Sequence, residues 1–151
     1  MLRMKSMTWR CLFALLVLAF VAPTLRASED DLKPSEVKIR DAVQAVISQQ
    51  LAAFRADDYA KAYGFADEAI KGQFPLEAFE RMVRMGYPAI AHSASVSFGL
   101  TLDNGDMAVV NARVVGKDEK SFSYQYILHR DGANWRITGV VLVEENKSLE
   151  V

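Results

Sequence analysis

One cysteine stands in the whole chain, Cys11, inside an apolar run close to the start. A mature chain cut after Ala27 has no thiol at all, which excludes disulfide and thiol chemistry from it. Histidine is almost as scarce: His92 and His129 are isolated, have no cysteine beside them and make no metal-ligand spacing, so no metal is expected. No nucleophile elbow, phosphate loop or dinucleotide fingerprint occurs, and Gly132 and Gly139 are single turn and strand glycines, so no cofactor is expected either. Basic residues do not outnumber acidic ones; the net charge of −1 gives no electrostatic footprint for nucleic acid or anionic lipid. Long hydrophobic stretches are also missing, since the run from Cys11 to Ala22 is a dozen residues, short of a comfortable membrane span.

What surrounds that run gives it a meaning. Arg3, Lys5 and Arg10 precede it, and Leu25-Arg26-Ala27 follows it and ends on a small residue, the three-part plan of a secretory signal peptide. Residues 1–27 are therefore expected to be cleaved, leaving a periplasmic or secreted protein with no membrane attachment. An uncleaved anchor is the alternative, because Leu25 is a poor residue three places before the cut. Cleavage removes four basic residues and no acidic ones, leaving 124 residues with a net charge of −5. That length is one domain, 28–151, with an acidic start at Ser28–Lys33 and a polar tail from Glu144.

Four strands are expected, Ser95–Leu102, Met107–Val115, Phe122–His129 and Trp135–Val143, joined by short polar turns. In the first, Val96, Phe98, Leu100 and Leu102 share one face by a period of two. Asp103-Asn104-Gly105-Asp106 then predicts a two-residue hairpin with Asn104 and Gly105 both at positive φ. In the third, Phe122, Tyr124, Tyr126 and Leu128 fall on one side, and in the second Ala108, Val110, Ala112 and Val114 pack inside while Asn111 and Arg113 point out. Before the strands the pattern is helical. A first helix after Pro34, capped by Ser35, carries Ile39, Val43, Val46, Ile47, Leu51 and Phe54 at helical spacing. A short second helix starts at Asp57-Asp58 and is interrupted by Gly72. A third runs from Leu76 to Met85, with Gly86 as its cap and Pro88 preventing continuation.

The expected fold class is therefore α+β: a long N-terminal helix and two short helices packed on a curved four-stranded antiparallel sheet. The Gln50–Tyr59 joint between helices and the Asp131-Gly132-Ala133-Asn134-Trp135-Arg136-Ile137 hairpin resemble the nuclear transport factor 2-like superfamily, whose cone-shaped fold is shared by SnoaL-like proteins. Phe79, Met82-Val83-Arg84 and Gly86-Tyr87-Pro88, with those segments and the signal peptide, resemble more narrowly an exported bacterial family, domain of unknown function 4864. The superfamily resemblance implies a cavity between helices and concave sheet, and in its enzymes a strand-borne carboxylate base with hydroxyl donors opposite it. Here every acid between Ser93 and Val143 falls in a turn, so that base is missing.

Tyr63, Tyr87, Tyr126 and Trp135 are the residues expected to line a ligand pocket, against a plain reading as aromatic core with the polar tip bonded. Asp57 and Asp58 read as helix caps. Asp67 or Glu68, with Tyr63 or Tyr87 as donor, would serve an alternative acid–base enzyme of isomerase or dehydratase type. Val140, Val141, Leu142 and Val143 are apolar on both faces of the last strand, which calls for a second layer and predicts a homodimer through the outer sheet face. The expected function is a non-catalytic exported module binding a small apolar ligand or a protein partner.

Overall fold

The computed structural model describes residues 31–145, so the signal segment, Cys11 and the tail beyond residue 145 lie outside the described residues. Among the described residues five helices and five strands follow in order: β1 (Lys33–Pro34), α1 (Val37–Arg55), α2 (Tyr59–Gly64), α3 (Glu68–Gln73), α4 (Leu76–Gly86), α5 (Pro88–Ala91), β2 (Ser93–Asp103), β3 (Met107–Gly116), β4 (Ser121–Asp131) and β5 (Asn134–Glu145). The strands form one antiparallel sheet in chain order, and the helices pack on one face of it. The chain is thus mixed α+β, with five strands among the described residues where four are expected.

The extra strand is β1. Lys33 and Pro34 pair with Asp103 and Leu102 at the sheet edge, where a proline without an N–H breaks no ladder. This pairing also takes Ser35 away from helix capping: its backbone N–H donates to Thr101 O at 3.0 Å. Glu36 is the residue before α1 and makes no side-chain cap. Once started, α1 buries Val43, Ile47, Leu51 and Phe54 as the spacing predicts, against α2 and the inner faces of β2, β3 and β5. Each such fully buried aliphatic side chain contributes about 1.5–3 kcal/mol.

The segment expected as one second helix is two. Ile137 N–H donates to Phe65 O, and Asp67 N–H donates to Ile137 O, both at 2.9 Å. Those bonds tie residues 65–67 to the free edge of β5 and compete with helical bonding there. Gly72 does not interrupt the chain but sits in the last turn of α3. Helix α4 ends at Gly86 with Tyr87 in the cap position, and Pro88 after it opens α5 at the start of the helix, where its missing N–H is no loss.

On the sheet's inner face β3 and β4 alternate as expected, with Val114 opposite Phe122, Ala112 opposite Tyr124, Val110 opposite Tyr126 and Ala108 opposite Leu128. Strand β2 departs from the expected pattern. A bulge between Phe98 and Thr101 inserts an extra residue, so Val96 and Phe98 face the helices while Thr101 and Asp103 take the inner positions after it. Leu100 is 56% exposed as a result. The β2–β3 turn is also one residue further on than expected. Asn104 N–H donates to Met107 O at 3.1 Å, so the two turn residues are Gly105 and Asp106, and only Gly105 is at positive φ (93°). Asn104 serves through its side chain, whose Oδ1 accepts from the Asp106 and Met107 amides. No helix among the described residues is long and apolar enough to cross a membrane.

Candidate functional site

Between the helices and the far half of the sheet lies a cavity of about 310 Å³. Its helical wall comes from Gln50 and Phe54 on α1, from Ile70, Gln73 and Phe74 at the end of α3, and from Phe79, Met82 and Val83 on α4. Its sheet wall is Tyr126 on β4 and residues 137–140 of β5. A second bulge shapes that wall: Leu128 pairs with Ile137 and Ile127 with Gly139, leaving Thr138 as the extra residue. Apolar side chains dominate the lining, and no charged side chain belongs to it among the described residues.

The few polar groups in the wall differ in how they are engaged. Gln50 is buried at 4% exposure and donates from Nε2 to Ala62 O at 3.2 Å. The Tyr87 hydroxyl donates to Val140 O at 3.3 Å, tying the α4–α5 junction to β5. The Tyr126 hydroxyl is different: the residue has no exposed surface, and this oxygen has no hydrogen-bond partner. Burial drives its phenol far above the ordinary range, with smaller contributions from the neighbouring Tyr124 and Tyr87. Burial likewise raises Tyr124, again with help from Tyr87. The phenol of Tyr126 is therefore neutral in the fold.

Of the four residues expected at a pocket, the fold brings Tyr87 and Tyr126 into the wall. Tyr63 stands behind it, where its hydroxyl donates to Phe74 O at 2.7 Å and its ring lies 5.1 Å from that of Phe79. Trp135 is buried elsewhere, beneath the Arg130 guanidinium at 5.6 Å from the ring centre. Gln50, at the head of the Gln50–Tyr59 joint, and Thr138 join the wall without being expected there. Gln50 could have been found as a polar residue on the buried stripe between Ile47 and Leu51, and Thr138 as the neighbour of a strand glycine, a common mark of a bulge.

The carboxylates sit apart from this cavity. Asp58 accepts from Lys61 N–H and Asp67 from Ile70 N–H, each at 3.0 Å, so both cap helices. Glu68 is largely exposed and pairs with Lys71 at 3.3 Å. Asp67 and Glu68 line a second, polar pocket with His129, Arg130, Asp131 and Arg136. Asp57, at φ 59°, accepts from Arg84 Nη2 at 2.7 Å, and that guanidinium packs 4.3 Å from the Tyr59 ring centre. Asn111, Arg113, His92 and His129 are exposed, and Arg113 donates to Ser121 Oγ at 2.6 Å. No cluster of three metal-ligating side chains occurs among the described residues.

No curated protein matches this chain. A family model does, across residues 37–149, from the start of α1 through β5. That match takes in every element of the cavity wall. The chain belongs to the family described as Domain of unknown function (DUF4864).

Proposed function

We propose that this chain is an exported module of the nuclear transport factor 2-like type that holds a small apolar ligand in the cavity without transforming it. The observation that carries this reading is the cavity itself: about 310 Å³, with walls mainly hydrocarbon and no charged side chain among the described residues. Transforming a ligand by proton abstraction needs a base within hydrogen-bond reach of it. The wall offers none among the described residues, and Asp67 and Glu68 are engaged at helix α3. A second copy of the chain is the proposed protein partner, seated on the outer sheet face, where Leu100, Val141 and Val143 are each half exposed or more.

Native mass spectrometry of protein recovered from its host's envelope without refolding tests the reading directly. A folded chain carrying a small-molecule increment, at the mass expected for cleavage after Ala27, is the expected result. In parallel, the neutral fluorophore N-phenyl-1-naphthylamine should bind with saturable enhancement at one site per chain. Val140→Trp fills the cavity and should abolish that site. A clean chain mass together with no saturable fluorophore binding overturns the reading.

A further inference from the structure

We infer that helix α3 is a lid on the cavity, latched by the Tyr63 hydroxyl, and that its opening admits and releases what the cavity holds. The inference rests on the ligand-binding reading above and says how that site is reached. The wall divides by exposure. Phe54, Phe79, Tyr126 and Ile137 are each 5% exposed or less and form its depth. Ile70 and Phe74 are only partly buried, and Gln73 between them is exposed, so the solvent side of the wall includes the end of α3. Met82 of α4 and Val140 of β5, also partly buried, stand on that side with them.

Three properties make α3 the weakest part of that wall. It has six residues, too few to stay helical without packing, and none of them is buried. Its last turn contains Gly72, a residue that favours the unfolded chain. Its two ends are also fastened unequally. At the start, Asp67 N–H donates to Ile137 O at 2.9 Å, and the Asp67 carboxylate accepts from Ile70 N–H. At the far end one side chain from another element supplies the hydrogen bonding among the described residues. The Tyr63 hydroxyl, on α2, donates to Phe74 O at 2.7 Å and has Lys71 O 3.3 Å away. These are carbonyls that a helix end leaves without an intrahelical partner. Opening is therefore local unfolding of α3 between Asp67 and Pro75, which withdraws Ile70 and Phe74 from the wall and leaves the buried stripe of α1 in place. Tyr63 acts through the wall as a positioning residue, from behind it.

Hydrogen exchange read by mass spectrometry tests the lid with no ligand present. In the wild type the amides of residues 70–74 should exchange about 10-fold or more faster than those of α1. Two variants should then move that rate in opposite directions. Tyr63→Phe removes the latch and should speed exchange in α3 about 5-fold, the effect of one neutral hydrogen bond. Gly72→Ala should slow it about 3-fold, because Gly72 is not at positive φ and a Cβ there meets nothing outside the helix within 4 Å. The second variant strengthens a helix, so it decides the matter even if Tyr63→Phe does not fold. Stopped-flow mixing with N-phenyl-1-naphthylamine adds the functional readout. Tyr63→Phe should raise the association and release rates by one common factor and Gly72→Ala should lower both, with Kd unchanged, since the lid governs passage and not the bound contacts. A purely structural loss would raise release without raising association. Exchange in α3 as slow as in α1, or variants that change release alone, overturns the lid and leaves the binding reading standing. Fast exchange in α3 with no saturable site for the fluorophore overturns the binding reading itself.

Discussion

Tyr126 sits where three requirements meet: it fills the inner face of β4 opposite Val110 and Val140, it walls the cavity, and it keeps a hydroxyl without a partner. The pH consequence follows from its raised phenol. In the unfolded chain a tyrosine ionises near pH ~10. In the folded chain burial holds the proton, so above that pH the folded state binds more protons than the unfolded one, and stability falls as pH rises. The slope for one such group is about 1.4 kcal/mol per pH unit. Tyr59 and Tyr124 are also raised and add to the loss. Denaturant melts between neutral pH and the alkaline range should therefore show wild-type stability declining above pH ~10, and a shallower decline in Tyr126→Phe; identical slopes would remove Tyr126 from the account. At this scale the sequence separates roles only in part. Asp58 is legible as a cap because a cap acts within three residues, whereas Asp57, read the same way, bonds Arg84 from a distant helix, and the cap at Asp67 is not distinguished in the sequence from a cavity acid. Tyr63 and Tyr126 are chemically alike in the sequence, yet one hydroxyl meets Phe74 O and the other meets nothing, an outcome decided by chain segments far apart.

Strands β3 and β4 show what periodicity can specify. Their inner positions are all apolar or aromatic, so a slip of one residue would expose the whole inner row, and the alternation read from sequence is the alternation found. Strand β2 lacks that contrast, with serines, a glycine and Thr101 among its apolar residues, and the bulge after Phe98 moves Leu100 out of the expected face. The split between α2 and α3 was equally hidden, because it depends on Ile137, some seventy residues downstream of the break. Glycine positions allow the β2–β3 hairpin to be tested. Gly105 adopts φ 93° at the turn, a conformation that penalises any side chain, whereas a Cβ on Gly99 would meet Asn111 Cβ at an ordinary 3.5 Å. Gly105→Ala should lower stability by about 1–2 kcal/mol. Gly99→Ala should change it by less than ~0.5 kcal/mol, the range of an uncritical surface substitution. Chemical denaturation of both variants decides, and equal losses would mean that the turn does not depend on the positive φ.

For the molecule as a whole, the two faces of the sheet have different fates. The inner face is covered by helices from the same chain, and nothing in the described chain covers the outer one. Along that outer face Leu102 pairs with Val109, Val109 with Ile127 and Ile127 with Gly139, a continuous apolar row across four strands. Leu100 and Val141 stand beside it with 56% and 50% of their surface exposed, and Arg113 is the charged side chain of the neighbouring β3 positions. A partner suited to such a face is apolar and carries little charge, and a second copy placed across a two-fold axis presents the same row. Covering one sheet face on each side supplies an area on the order of the 800 Å² per partner that stable dimers bury. The protein should therefore sediment as a dimer at micromolar concentration. The double variant Leu100→Glu with Val141→Glu places four acids in that interface and should sediment as a monomer with an unchanged circular dichroism spectrum, since both side chains are already half exposed in the single chain. A wild type that sediments as a monomer rules out the second copy as the cover of this face. In that event the same row remains the place to look for an apolar partner of another kind, and the cavity, on the opposite side of the sheet, is unaffected by the outcome.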